Sequence, residues 1–491
     1  MTVATLRPAA VAVRADRRPV PWRDPLSMYA ALADRFGADE VYLLESPAGP
    51  TDDCTIAMVG LRPLLTVAVT RGEVSITGAD ELVERAGSAV RAATDPGPGG
   101  TAMLRRADAV WDMLRAIQRS FAAPGSAHEF SFGFLAFLGY DAVRYIERLP
   151  LLIEQAAELP DICLVLHQGF VRLDLAGGTA ELVVHQSPAW PWLDPAEVAA
   201  VLDQAAAAAP GEEPPPSSVS DSTTSPAYED DVRRCLAHIA VGDIYQVQIG
   251  HELTIETAAD PVQVYHRLRR RNPSPYMYLA TLAGRRVVGA SPELFVRVDR
   301  GLATMRPIAG TLPRKGAPDA ELARRLRADP KEIAEHMMLV DLCRNDIGRI
   351  CRAGTLNVPE MFSVEKYSHV LHMVSTVTGA LDDGVDSLDV VTALFPSGTM
   401  TGAPKIRAME IIESVESSRR GLYAGALGLI DVGGYLNLAL CIRMLVHDGG
   451  QYRTRASAGV VADSDPAREW AETRAKLSAA YWAVTGEEYQ A

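Results

Sequence analysis

The sequence predicts an α+β fold built in layers, and three observations predict it. Strand-like and helical runs mix along the chain without the strict β-α-β alternation of a doubly wound sheet. Hydrophobic residues make up 48% and charged residues 22% of the 491, which suits a large buried core. No apolar run approaches the ~18 residues of a membrane span, and the N-terminus M-T-V-A-T-L-R-P has no signal-peptide hydrophobic region.

Residues 1–25 are basic and Pro-containing and read as loose. Strand candidates follow at 42–46, 64–69 and 74–76, and 107–121 has helical periodicity. The aromatic, glycine-spaced run 130–140 suits a buried strand in close backbone contact. Segments 162–175 and 180–184 read as paired strands around Gly177-Gly178. Composition then breaks: 204–227 is rich in Ala, Pro and Ser and reads as a flexible crossing. It divides the chain into an N-terminal region (1–203), interleaved with the rest, and a region (228–486) that carries the chemistry. Beyond it a helix runs to Gly242, strands fall at 245–249, 276–282, 287–289, 424–431, 436–446 and 454–461, and helices at 319–327, 330–344, 387–394 and 466–484.

A net charge of −14 argues against nucleic acid as the partner. Six cysteines without a C-x-x-C read as free thiols of a reducing cytoplasm. The stretch D-P-K-E-I-A-E at 329–335 opens a helix, with Asp329 as N-cap and Pro330 at the first helical position. Glu332 and Glu335, three apart, project from one face. Far downstream S-D-P-A-R-E-W-A-E repeats the device with Glu469 and Glu472. Two such faces suit a hard divalent cation, which takes oxygen ligands. Solvated helix faces are the other reading, and for Glu332 a capping box on Asp329.

Other stretches carry unusual chemistry. A-S-P-E at 290–293 sets a carboxylate, Glu293, just past a strand end. R-P-I-A-G-T at 306–311 reads as a glycine-containing turn open to a ligand, and S-H-V-L-H at 368–372 offers two imidazoles. P-S-G-T-M-T-G-A-P-K at 396–405 lacks phosphate-loop spacing, which excludes nucleotide binding on that motif. C-I-R at 441–443 places Arg443 on a strand, where a buried guanidinium calls for an anion. Backbone N–H groups near Gly459 can meet a carboxylate.

Together these stretches resemble the chorismate-utilising enzymes, and anthranilate synthase component I in particular. The resemblance rests on A-S-P-E at 290–293, P-I-A-G-T at 307–311, A-E-H-M-M-L-V-D-L-C-R-N-D at 334–346 and S-H-V-L-H-M-V-S at 368–375. It continues through F-P-S-G-T-M-T-G-A-P-K-I-R-A-M-E-I-I at 395–412, C-I-R at 441–443 and A-D-S-D-P-A-R-E-W-A-E-T-R-A-K at 462–476. These span roughly residues 230–480; the N-terminal half is similar mainly through L-L-E-S at 43–46.

The resemblance implies an α+β sandwich that binds chorismate, a dianion, on Mg²⁺. Glu335 and Glu472 would ligate the metal and Glu332 and Glu469 hold its waters. Arg443, Tyr423, Lys476 and the backbone at Ser457, Ala458 and Gly459 would answer the remaining charge, with Gly310 and Thr311 lining the ring pocket. Glu293 would protonate the departing 4-hydroxyl. Relatives that add water carry a lysine where this chain has Gln246, and those that aminate position 4 carry one where it has Ala309. Amination at ring position 2 is therefore expected. No cysteine sits in a glutaminase elbow, so a separate glutamine amidotransferase would supply the ammonia. His372 and Thr399 match the residues beside the departing side chain. They tilt the expected product toward anthranilate plus pyruvate, over release of 2-amino-2-deoxyisochorismate (2-amino-4-deoxychorismate). Leu44-Glu45-Ser46 and Pro275-Tyr276-Met277 match the segments of a tryptophan feedback pocket, although 49–60 departs from the family pattern.

Overall fold

The computed structural model describes residues 10–49, 56–123, 125–154, 159–206, 214–215, 217–367 and 370–489, with the side chain of Thr311 outside the description. Two antiparallel layers form a sandwich. The first runs through the pairings of Ser217–Asp221, Gln246–Thr257, Gln451–Val460, Met444–Asp448, Arg285–Ser291, Tyr276–Leu282 and Val41–Glu45. The second runs through Gly133–Leu138, Ala426–Asp431, Leu436–Leu440, Leu294–Asp299, Leu302–Met305 and Val370–Ala380. Two long strands, Ile56–Thr70 and Ile162–Asp174, belong to both. Val41–Glu45 pairs with one half of the first of them, and Gly133–Leu138 with one half of the second. Their mutual register shifts at Leu166/His167, the kind of irregularity that lets a long strand bend from one layer into the other.

Alternation of side chains across each strand explains the layering. Tyr42, Tyr278, Phe137, Leu427 and Cys441 fill the space between the sheets. The outer face of the first layer buries Leu43 and Leu279 under helices Pro25–Phe36, Pro195–Asp203, Pro261–Arg271 and Pro466–Thr485. The outer face of the second buries Phe295 and Val377 under Asp80–Ala93, Ala109–Gln118, Pro330–Gly348 and Ser387–Leu394. Among the described residues no helix is long and apolar enough to cross a membrane. Cys163, Cys235, Cys343, Cys351 and Cys441 are free thiols, and Cys54 lies outside the described residues.

Several expected boundaries move. The run 436–446 is two strands, broken at 441–443, where Arg443 takes φ 50°. Arg443 is therefore at a strand break, not on a strand. The segment 306–311 is no simple turn: Ile308–Pro313 is a strand whose register shifts around Gly310, at φ 75°. The expected crossing at 204–227 holds structure at its far end. Ser217–Asp221 pairs with the edge of Gln246–Thr257, and a helix begins at Ser225. Residues 207–213 and 216 within it lie outside the described residues, as do Ser368 and His369.

Candidate active site

Asp329 accepts from the backbone N–H of Lys331 (2.9 Å) and Glu332 (3.4 Å), while its own backbone N–H donates to the Leu326 carbonyl (3.4 Å), so the Glu332 carboxylate does not close a capping box. Asp465 accepts from the Arg468 N–H (3.0 Å) in the same manner. The two helices bring all four expected glutamates into one electrostatic neighbourhood. Burial, and then neighbouring carboxylates, hold the carboxyls of Glu332, Glu335 and Glu469 above the ordinary range, and the charge of Glu472 acts on all three. Lys476 Nζ pairs with Glu472 (2.7 Å) and Lys331 Nζ approaches Glu335 (3.7 Å). Among the described residues no three carboxylate, imidazole or thiolate side chains converge at ligand distance. An all-oxygen set of mutually repelling carboxylates, half-buried to exposed, nevertheless suits a hard divalent cation that would draw them together. Gly310 ties the neighbouring strand to this site: a Cβ there would stand 3.0 Å from Glu332 Oε2.

Beside the carboxylates lies a buried acid. Glu293 follows the strand Arg285–Ser291, its carbonyl accepting from Leu440 N–H at 3.0 Å. Its carboxyl, only 8% exposed, accepts from Thr399 Oγ1 at 3.0 Å, which in turn lies 2.8 Å from Ser397 Oγ. Burial pushes the Glu293 pKa up to about 8, against the lowering pull of Thr399, Lys476 and Arg443. The group is therefore protonated at neutral pH. His372, opposite Thr311 in register, is held neutral: burial, with Arg443 and Lys476 nearby, lowers its pKa to about 4. The Gly310 carbonyl holds its ring, and Tyr367 packs edge-on at 5.0 Å.

Arg443 is half-buried, and its guanidinium makes no hydrogen bond or ion pair with a described residue. Desolvation lowers its pKa, opposed by Tyr367, Tyr423 and Glu293. A desolvated guanidinium without a partner favours a nearby anion. Tyr423 OH lies 2.7 Å from Ser457 Oγ, and Lys476 Nζ donates to the Ser457 carbonyl at 2.9 Å. Ala458 and Gly459 continue this strand toward Val460. A Cβ at Gly459 would meet Gln248 Nε2 at 2.8 Å and Gln246 Nε2 at 2.9 Å, so two carboxamides press on that backbone. Sequence reading found Gln246 but not Gln248, Ser397 or Tyr367. Gln248 was legible, since residues two apart on a strand share a face. Lys405, the lysine of the phosphate-loop look-alike, is engaged by Asp346 (2.8 Å) and the Leu394 carbonyl (3.0 Å).

Leu44, Glu45, Ser46, Pro275, Tyr276 and Met277 line one cavity of ≈ 340 Å³ between the layers, because Met277 pairs with Glu45 across adjacent strands. Glu45 is closed to a ligand amine. It is 2% exposed, hydrogen-bonded to Tyr265 OH (2.5 Å) and paired with Arg269 (2.8 Å). A larger cavity of ≈ 760 Å³ shares only Tyr423 with the residues above and holds neither Glu293 nor the four glutamates. Size alone does not locate the chemistry.

Residues 81–481 match the family described as chorismate binding enzyme. The chain is 58% identical to 2-amino-4-deoxychorismate synthase of Streptomyces globisporus, over 99% of this chain and 100% of that protein. It is 36% identical to anthranilate synthase component 1 of Acinetobacter calcoaceticus, over 94% and 92%. The crystal structure of anthranilate synthase component I from Streptococcus pneumoniae TIGR4 superposes with a TM-score of 0.72 at 28% identity, covering 87% of this chain and 92% of that one. Matched by that family over most of its length, and by full-length relatives at 36–58% identity, the chain belongs to the chorismate-binding enzyme family.

Proposed function

We propose that this chain aminates chorismate at ring position 2 and releases 2-amino-2-deoxyisochorismate (2-amino-4-deoxychorismate). The ammonia nitrogen bonds to C2, the ring double bonds shift, and the C4–O bond breaks. The 4-hydroxyl leaves as water on taking the Glu293 proton, and the new ammonium loses one proton. The observation that carries this is the state of Glu293: a carboxylic acid with a pKa of about 8, hydrogen-bonded to Thr399, is armed to donate near neutral pH.

Glu335 and Glu472 would hold Mg²⁺, with Glu332 and Glu469 orienting its waters. When bound, Mg²⁺ supplies positive charge against a substrate carboxylate. Arg443 receives the other carboxylate, assisted by Tyr423 and the backbone at Ser457–Gly459. Neutral His372 orients the substrate without adding a second cation beside Arg443. Ammonia comes from a separate glutamine amidotransferase subunit, since no cysteine of this chain sits in a glutaminase elbow.

Both His372 and Thr399 suit the fuller reaction to anthranilate and pyruvate. Release of the amino intermediate is better supported, because the full-length Streptomyces globisporus relative carries that activity in its name. Incubation of the purified chain with chorismate, Mg²⁺ and ammonium, coupled to lactate dehydrogenase, tests the choice. Chorismate should disappear without pyruvate and without blue anthranilate fluorescence. Stoichiometric pyruvate would overturn this assignment in favour of anthranilate synthase.

A further inference from the structure

The glutamate site is built from groups that repel. Three of its carboxyls are held above their ordinary range partly by one another, and they sit on two separate helices. Nothing in that set keeps the helices at a fixed separation before a cation arrives. Something outside it must hold them.

The Pro466–Thr485 helix is gripped from behind. His251, on the strand Gln246–Thr257, is 1% exposed. Its Nε2 lies 2.8 Å from Thr473 Oγ1 and its Nδ1 lies 2.8 Å from Asp221 Oδ1. Thr473, 0% exposed, is the residue after Glu472, and its hydroxyl donates to the Trp470 carbonyl at 2.8 Å. Trp470, the residue after Glu469, stacks on the His251 ring at 4.6 Å and 28°. Tyr228 closes the cluster edge-on to His251 at 5.7 Å and is anchored through its OH to the Ile249 carbonyl (2.9 Å). The single helical turn bearing Glu469 and Glu472 is thus held at partly buried Trp470 and fully buried Thr473. Asp221 comes from the edge strand Ser217–Asp221, where it sits opposite Leu253.

We propose that Asp221, His251 and Thr473 form a positioning relay that fixes the depth and rotation of this helix and so pre-organises Glu469 and Glu472 for a divalent cation. The inference rests on the metal reading of the four glutamates. Apolar packing leaves a helix free to slide by fractions of an ångström; a hydrogen bond to a buried imidazole, itself held by a carboxylate, fixes distance and direction. The relay matters before metal binds, when carboxylate repulsion works to separate the helices. None of the three residues is in the set that answers substrate charge.

The test uses the full chain without substrate and Mn²⁺ as a paramagnetic probe of the hard-cation site, titrated by electron paramagnetic resonance. Thr473→Val keeps the shape and deletes the hydroxyl; Thr473→Ser keeps the hydroxyl. Thr473→Val should weaken Mn²⁺ binding by about tenfold, the scale set by groups that orient metal ligands. It should also speed amide exchange across 466–476 at an unchanged melting temperature. Thr473→Ser should stay within about twofold of the parent, a rescue that loss of packing alone would not produce. Asp221→Asn, at a partly exposed edge, serves if Thr473→Val misfolds, and should weaken binding at least threefold, roughly half the effect of deleting the hydroxyl on the free-energy scale. Parent-like Mn²⁺ affinity in folded Thr473→Val, or in Asp221→Asn if the valine variant misfolds, overturns the relay while leaving the metal reading intact. A parent that binds no Mn²⁺, or whose Glu335→Gln variant binds it equally well, overturns both.

Discussion

Glu293 owes its chemistry to position. An ordinary glutamate is ionised at neutral pH; burial beneath Thr399 and the strand break raises this one to about 8. The sign follows directly: the proton that the proposed acid role requires is present below that value and lost as pH rises through it. At constant free ammonia, kcat/KM should therefore be flat below pH ~8 and fall about tenfold per unit above it, reporting the free-enzyme acid. Glu293→Gln keeps a partner for Thr399 but has no proton to give, so kcat should fall by about 10²–10⁴-fold with the circular dichroism spectrum unchanged. A variant retaining more than a tenth of parental kcat excludes Glu293 as the acid. Arg443 is the complementary case, a cation whose guanidinium has no hydrogen-bond or ion-pair partner among the described residues. Arg443→Gln should raise the chorismate KM by roughly 10–100-fold, the equivalent of one charged hydrogen bond of about 1.5–3 kcal/mol. An unchanged KM would show that the guanidinium does not touch the substrate.

At the scale of elements, the twin helices were legible because capping chemistry is local. An Asp-Pro start and two glutamates three apart are visible without any tertiary information, and Asp329 and Asp465 both cap as read. Glu335→Gln or Glu472→Gln should abolish magnesium-dependent turnover without unfolding the chain, checked by activity across Mg²⁺ concentration and by thermal melting. The strand beneath them was half legible. Gly459 was noted for its backbone, but the two carboxamides that press on it come from a strand some two hundred residues earlier. Gly459→Ala must displace Gln246 or Gln248. Turnover should fall about tenfold or more while stability changes by less than ~1–3 kcal/mol, the usual range for overpacking; unimpaired turnover would mean the carboxamides do not shape the pocket. Glu45 shows the limit of reading element by element. L-L-E-S shows an acid in the sequence, and the helix Pro261–Arg271 supplies Tyr265 and Arg269 to neutralise it. Millimolar tryptophan is accordingly expected to leave the rate unchanged, and clear inhibition would contradict that account.

Over the whole molecule, both sides of the 204–227 stretch build both layers. Val41–Glu45 pairs with Tyr276–Leu282, and Gly133–Leu138 pairs with Ala426–Asp431. Separate expression of 1–203 and 228–486 should give neither a stable half, since each would expose sheet edges and the apolar faces the other covers. Two soluble, cooperatively melting halves would refute that. The assembled chain should turn over chorismate with free ammonium alone and use glutamine only after an amidotransferase subunit is added. Glutamine-dependent turnover by the pure single chain would count against a separate ammonia source.

What the residues determined by themselves was chemistry carried in short windows: the helix caps, the paired glutamates, the acid after a strand, the absence of a glutaminase elbow, and the mixed α+β pattern. Those signals survive in sequence because each depends on neighbours a few positions away. Only the tertiary structure decided which charges stay unpaired. Glu45 and Arg443 look equivalent as isolated letters; one is neutralised by a distant helix and the other has no partner among the described residues. It also decided the protonation of Glu293 and the grip of His251 on Thr473. Desolvation and long-range hydrogen bonding depend on what covers a group, and that cover comes from strands and helices far away in the chain.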